Sequence, residues 1–249
     1  MKRRFNRFEL KYIIPGNVRD ALLPTMRERM TPDSYAVDGT YLISSMYYDS
    51  PQFDCYRSKI EGIKYRRKVR IRSYGEFPSD PSAKVVLEIK QRINRTTQKR
   101  RLALQLSQAH ALCTGQFDRE FPDPLDAAVA QEITFLSRSL ALAPACLVVY
   151  QRQAFEGNVY DPGLRITFDG LLRCAPADAV FDPGRPRHPF LPDDWFILEV
   201  KADEVVPLWV ARLLATHGVT LNRFSKYCAA VTKLSEMHLL TTLGERHDG

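Results

Sequence analysis

The run Lys68-Val69-Arg70-Ile71-Arg72 constrains the chain most, because cations and β-branched residues alternate along it with a period of two. On a pleated strand successive side chains point to opposite faces. Lys68, Arg70 and Arg72 therefore share one face, and Val69 and Ile71 share the other. A strand with one wholly cationic face has to find either water or an anion for it.

The same alternation recurs elsewhere. A Glu-x-Lys pair appears three times, as Glu9 and Lys11 in RFELKY, Glu88 and Lys90 in VVLEIKQR, and Glu199 and Lys201 in WFILEVKA. Each pair lies on one strand face between large apolar neighbours. Arg152 in VYQRQAF and Arg165 with Thr167 in LRITFD extend the pattern. Eight segments read as strands: 5–14, 41–49, 65–74, 85–92, 100–106, 147–155, 164–169 and 195–201. Their β-branched and aromatic content, with turn residues between, predicts an antiparallel sheet or barrel rather than βαβ units. Helical patterns cover 17–30, with a kink expected at Pro24, then 123–142, 203–217 opened by Asp203, and 224–240. The stretches 76–83 and 174–194 and the tail 244–249 read as loop. At 249 residues the chain fits a single domain spanning 1–249.

Charged faces on antiparallel strands often meet solvent, and that reading stands for any one strand. Across six strands it weakens, because little Ser, Thr or Gln dilutes the Arg, Lys and Glu. If these faces line a closed barrel, the interior is polar, the exterior apolar, and helices pack outside. Such a lining needs an anion: two like charges about 6 Å apart at an effective dielectric near 20 repel by about 3 kcal/mol. Arg donates to phosphate in pairs and Lys adds a mobile point charge. A carboxylate among them can hold Mg2+ or Mn2+, hard ions that share oxygen ligands with phosphates.

The overall balance agrees. With 36 Lys and Arg against 29 Asp and Glu the formal charge is +7, which favours an anionic partner. No GxxxxGK[ST] or GxGxxG loop is present, so side chains rather than backbone amides must hold the phosphates. HExxH, GxSxG and Cys/His pairings are absent too, and the five histidines are dispersed and read as surface residues. Five cysteines without CxxC spacing suggest neither a disulfide frame nor a zinc site and fit a reducing cytoplasm. No stretch approaches the ~18 apolar residues of a membrane span.

The segments RFELKYII, MYYDSPQFDCY, KYRRKVRIRSYG, VVLEIKQR, YQRQAFEG, LRITFDG, FILEVK and NRFSKY, in this order, resemble the VTC-type polyphosphate polymerase domain of the triphosphate tunnel metalloenzymes. The resemblance covers nearly the whole chain. It implies an α+β fold, an eight-stranded antiparallel barrel with helices outside and one helix closing a tunnel end. ATP would be held there by basic side chains and Mn2+ or Mg2+, its γ-phosphate passing to a growing polyphosphate. By motif, Lys11, Arg70, Arg72, Lys90 and Arg165 are the tunnel cations and Glu199 the metal ligand, with Lys201 beside it and Lys226 on the closing helix. Arg70, Arg72, Lys201 and Lys226 are the catalytic set. Lys68, Arg152, Arg223, Glu9 and Glu88 join Lys11, Lys90 and Arg165 in binding substrate.

Three departures bear on this. Arg7, Glu9 and Lys11 give R-x-E-x-K, where the related tunnel hydrolases usually begin E-x-E-x-K, which favours the VTC branch. Position 223 is Arg where eukaryotic members look to carry Lys. The 249 residues hold no inositol-phosphate-sensing or membrane segment like theirs, so the resemblance does not extend to regulation or translocation. Two rivals remain: a triphosphate or polyphosphate hydrolase using water in the same site, and a non-catalytic module binding polyanions or nucleic acid. The Arg run with Tyr74 and Phe77 carries the last, although ATP, triphosphate or polyphosphate is the expected partner and nucleic acid is not.

Overall fold

The computed structural model describes residues 7–36, 39–94, 96–117, 120–181, 187–203 and 205–240. The elements run β1 (Arg7–Pro15), α1 (Gly16–Arg29), β2 (Met30–Pro32), β3 (Tyr41–Asp49), α2 (Asp54–Ile60), β4 (Tyr65–Tyr74), β5 (Lys84–Ile93), β6 (Thr96–Gln105), α3 (Leu106–Cys113), α4 (Pro124–Leu140), β7 (Ala143–Gly157), β8 (Arg165–Pro176), β9 (His188–Pro189), β10 (Trp195–Asp203), α5 (Leu208–Thr216) and α6 (Lys226–Glu236). The strands hydrogen-bond in the order β1-β10-β8-β7-β3-β4-β5-β6, with β2 added on β7 and β9 on β8. The eight long strands are those expected from alternation, and their pairing is antiparallel. No helix among the described residues is long and apolar enough to cross a membrane.

The chain divides into two compact units. The first holds Met1–Leu42, Tyr150–Leu172 and Leu191–Ser225. Its core is the apolar face of β1, β8 and β10, where Tyr12, Ile14, Ile166, Phe168, Leu198 and Val200 are buried against Leu22, Leu23 and Met26 of α1 and Val210 and Leu214 of α5. Period two on the strands meets the i, i+4 spacing of the helices, and each leaves its polar side facing away. The edge of β1 is not bare: Tyr12 bridges to Leu221, and the Asn222 N–H donates to the Lys11 carbonyl at 2.7 Å.

The second unit holds Ile43–Val149, Arg173–Phe190 and Lys226–Gly249. Val69, Ile71, Leu87, Ile89 and Leu102 of β4, β5 and β6 are buried, as are Ala109 and Leu112 of α3 and Ile133 and Leu136 of α4. Both helices have explicit start signals. Gln105 and Gln108 form a capping box at α3, and the Asp123 carboxylate accepts from the Leu125 and Asp126 amides at 2.7 and 3.1 Å ahead of Pro124 in α4.

Several expectations are corrected. The helix expected from 203 begins at Leu208, because Asp203 ends β10 and Pro207 is the residue before the first turn. Pro24 lies within a helix that continues through it. The strand expected to run to Leu106 ends at Gln105, and α2 and α3 are helices that were not foreseen. They have 7 and 8 residues, too few turns for a 3.6-residue period to stand out. The 174–194 stretch contains a short 3-10 turn at Ala177–Phe181 and the strand β9, while 244–249 lies outside the described residues. His110 is no surface residue: its Nδ1 is hydrogen-bonded to the buried Tyr48 hydroxyl.

Asp49 ties three elements of the second unit together. Its carboxylate accepts from the Ser50, Cys55 and Tyr56 amides at 2.8, 2.9 and 3.0 Å, capping α2, and from the Tyr227 hydroxyl of α6. Asp49→Ala leaves all four donors without this acceptor in a buried place, and a loss of about 3 kcal/mol is expected. Urea unfolding would show it as a lowered midpoint; an unchanged midpoint would mean the donors find other acceptors.

Candidate functional site

The face of β4, β5 and β6 opposite the helices carries the cations of the second unit. The register sets Lys68 opposite Lys90 and Lys90 opposite Lys99, so three lysines form one row across three strands. Like charges placed directly opposite destabilise a sheet. In the next row Glu88 lies between Arg70 and Arg101, and Arg72 follows one step along β4. The Glu88 carboxylate is 2% exposed and gathers its neighbours: Arg70 Nε donates to it at 2.6 Å, Lys99 Nζ lies at 2.5 Å, Arg101 Nε at 3.1 Å and Arg72 Nη1 at 3.7 Å. Arg70 also donates to the Tyr47 hydroxyl at 2.8 Å, and Tyr47 stacks on Tyr227 of α6. Lys68 points over that Tyr227 ring and donates to Cys228 Sγ at 3.6 Å. The start of α6, where Lys226 is buried, thus covers the Lys68 end of the cationic face. Ser45, opposite Arg72 on β3, is fully buried.

In the first unit the polar face lies on β1, β10 and β8, opposite the helix-covered core. Lys11 faces Glu199 and Glu9 faces Lys201 across the β1–β10 pair, while Glu199 faces Thr167 and Lys201 faces Arg165 across β10–β8. Lys11 Nζ donates to Glu199 Oε1 at 2.9 Å and lies 3.1 Å from Glu9 Oε1; Lys201 Nζ lies 2.8 Å from Glu199 Oε2. Arg152 is locked bidentate on buried Asp169, with Nε to Oδ1 at 2.6 Å and Nη2 to Oδ2 at 2.7 Å. Arg165 donates to Asp33 at 2.5 Å, to the Tyr41 hydroxyl at 3.2 Å and to Glu156.

Burial and crowding set the charge states. Burial pushes the Glu88 carboxyl up, but Arg70, Arg72 and Lys99 outweigh it and hold it well below the ordinary carboxylate range. Lys99 is pushed down to about 6 by burial, with Arg70, Arg72 and Arg101 adding to the effect against the pull of Glu88. Burial also lowers Lys68. In the first unit burial brings Lys201 down to about 8 despite Glu199, with Arg152 contributing. Lys11 goes the other way, because Glu199 and Glu9 together overcome its burial.

Comparison with known proteins now decides the lineage: residues 6–235 match the VTC domain. The chain belongs to the VTC domain family. It is 24% identical to vacuolar transporter chaperone complex subunit 4 of Trypanosoma cruzi, over 77% of this chain and 28% of that protein. The chain thus spans little more than a quarter of that relative's length. A crystal structure of a candidate adenylate cyclase from Bacillus halodurans superposes with a TM-score of 0.50 at 12% identity, covering 87% of this chain and 92% of that one. That likeness extends to the fold.

Within this VTC domain each unit assembles its own charged face. Lys68, Arg70, Arg72, Glu88 and Lys90 come together in the second unit, with Lys226 on the helix covering it. Glu9, Lys11, Glu199 and Lys201 come together in the first, with Arg152 and Arg165 on adjoining acids. Arg223 is exposed and follows the segment pinned to β1 beside Lys11. Lys99 was not singled out from the sequence, although its period-two spacing with Arg101 in TTQKRRL was the available signal; of Arg100 and Arg101, which cannot share one face and between which the sequence does not choose, it is Arg101 that joins the charged face. Arg100 faces the other way, onto Glu132 of α4 at 2.6 Å, as does Arg67. Asp33 and Tyr41, the partners of Arg165, gave no periodic signal: Asp33 stands in an irregular segment and Tyr41 opens a strand.

No group of three or more His, Cys, Asp or Glu able to hold a metal ion occurs among the described residues. An all-protein cage is therefore not what these residues build. Glu199 and Glu9, bridged by Lys11, fit the other way such ions bind, in which one or two carboxylates supplement phosphate oxygens and water. A groove of about 850 Å³ lined by Leu112, Phe121 and Phe135 lies on the α3–α4 side of the second unit, away from the charged face.

The lysine row makes a stability test. Lys90→Met removes the central amine, and in phosphate-free, low-salt buffer near pH 5, where Lys99 also holds its proton, the variant is expected to melt higher than the parent, by about 0.5–1 kcal/mol in stability. The gain should shrink as salt screens the row. A lower melting point at every ionic strength would show that the row is not under repulsion.

Proposed function

We propose that this VTC domain transfers the γ-phosphate of ATP to the end of a growing polyphosphate chain with the help of a divalent metal. The row of Lys68, Lys90 and Lys99 carries the proposal: burial and crowding lower Lys68 and bring Lys99 down to about 6 in the free protein, and a bound polyanion supplies the negative charge that lets the row carry its full positive charge. Membership in the VTC family and likeness to a vacuolar transporter chaperone subunit support polyphosphate rather than another anion.

In this reading Arg70 and Arg72 clamp the transferred phosphoryl group, and Glu88 and Tyr47 hold the Arg70 fork in place for it. Lys11, Lys90 and Arg165, with Lys68, Arg152, Arg223 and Glu9, bind or orient the remaining phosphates. Lys201 and Lys226 stabilise charge developing on the reacting oxygens. The P–O bond between the γ-phosphorus and the bridging oxygen breaks, a terminal oxygen of the acceptor bonds to the same phosphorus, and ADP leaves, so no protein nucleophile is required. Mn2+ or Mg2+, held through Glu199 and the substrate's own oxygens, supplies neutralisation of phosphate charge.

Incubating the protein with ATP and Mn2+ or Mg2+ should give a ladder of polyphosphate on a gel. Phosphate release without chain growth would replace the proposal by hydrolysis, and tight binding of nucleic acid that tripolyphosphate fails to displace would replace it by a binding module. Glu199→Gln should abolish metal-dependent turnover and leave phosphate binding largely intact, since Lys11 and Lys201 keep their charge; an unaffected rate removes Glu199 from the site.

Proton linkage gives a further check. Lys201 stands near 8 and Lys99 near 6 in the free protein, and a bound polyanion raises both. The complex then holds more protons than its parts between about pH 6 and 9. Tripolyphosphate binding should take up protons near pH 7.5 and weaken as pH rises through that window. Calorimetry in buffers of different ionisation enthalpy measures the net uptake, and Lys201→Met, which leaves the ligand's own titration unchanged, should lower it; an unchanged proton count contradicts the Lys201 site.

A further inference from the structure

Thr167 stands in the middle of the charged face of the first unit and does not bond to it. Its strand partner is Glu199, and Arg165 and Asp169 flank it two residues away on the same face of β8. The side chain is fully buried, and its Oγ1 has no hydrogen-bond partner among the described residues. Each of its charged neighbours is committed elsewhere: Glu199 to Lys11 and Lys201, Asp169 to Arg152, and Arg165 to Asp33 and Glu156.

A buried hydroxyl left unbonded is costly, whereas valine has nearly the same shape and no such cost. The strand would accept valine readily, since a β-branched side chain suits a pleated strand. A hydroxyl that costs stability in the free protein is explained by a bond it makes when something else is present. Lys201 and Arg165 would draw to it an acceptor oxygen carrying negative charge, which reaches the hydroxyl when the side chains covering it exchange their ion pairs for the ligand.

The geometry points to Thr167 as a substrate-binding residue whose hydroxyl donates to a phosphate oxygen of bound tri- or polyphosphate. This rests on the phosphate reading of the site and adds a neutral, directional contact to it. A hydroxyl senses where an oxygen lies, whereas the surrounding cations sense chiefly that charge is near. Thr167 thereby fixes the register of the phosphate chain against β8.

Calorimetric titration with sodium tripolyphosphate in EDTA tests it, comparing the parent with Thr167→Val, Thr167→Ser and Thr167→Ala. Loss of a hydrogen bond to a charged acceptor corresponds to about tenfold or more in Kd. Val and Ala should bind that much more weakly and Ser within about threefold of the parent. In phosphate-free buffer Val should melt at or above the parent temperature, a result that a merely structural hydroxyl would not give together with lost affinity. Should Val not fold, the contrast between Ala and Ser decides the matter. Equal affinity of Val and the parent, or equal loss in Ser and Ala, overturns the assignment, as does a defect seen only when Mg2+ replaces EDTA. If the parent itself does not bind tripolyphosphate, the phosphate reading fails and takes this inference with it.

Discussion

Charge confronting like charge on a strand face is the constraint around which this chain is organised. A sheet that sets Lys68, Lys90 and Lys99 side by side and rings Glu88 with Arg70, Arg72, Lys99 and Arg101 cannot also cover that face with apolar helices. α3 and α4 go to the opposite face while the start of α6 reaches the Lys68 end of the charged one, so the alternation of each strand becomes a division between a hydrophobic side that folds the protein and a cationic side that does not. Stability comes from the apolar face, and the charged face is the one the proposed substrate would meet. The same division appears in the first unit, where α1 and α5 pack on one side of β1, β8 and β10 and the ion pairs of Glu9, Lys11, Glu199 and Lys201 occupy the other.

The acids tune this arrangement as much as they relieve it. Glu88 is deeply buried and holds four basic side chains in fixed positions, so their heads are placed before any ligand arrives. Glu199 takes one lysine on each oxygen, which settles the rotamers of Lys11 and Lys201 in the same way. Holding a charged side chain in place beforehand reduces the entropy lost when it binds. The excess of cations over carboxylates in the second unit remains as an electrostatic demand on whatever anion enters.

What was legible in the sequence follows from this physics. Period two is visible in any run long enough to repeat, so all eight long strands and most members of both charged faces could be named from residues alone. Lys68, Arg70 and Arg72 stand on one face as their spacing requires. What could not be read depends on distant parts of the chain. Nothing local marks Asp33 as the partner of Arg165, 132 residues away. Nor does Asp49 look different from any acid at a strand end until the amides of α2 and the hydroxyl of Tyr227 converge on it. Short helices such as α2 and α3 escape because one or two turns show no period. The start of α5 was misplaced because Asp203 resembles a capping residue, whereas it completes the strand that carries Glu199 and Lys201.

The contact that pins the 220–222 segment to β1 has a consequence beyond placing Arg223. β1 ends the hydrogen-bonded order of strands, and an end strand exposes backbone groups on which a second molecule can build. The Tyr12–Leu221 bridge and the Asn222 amide on Lys11 occupy part of that row. The few residues that lead to Arg223 therefore also cover part of the edge on which a second copy of the chain could pair.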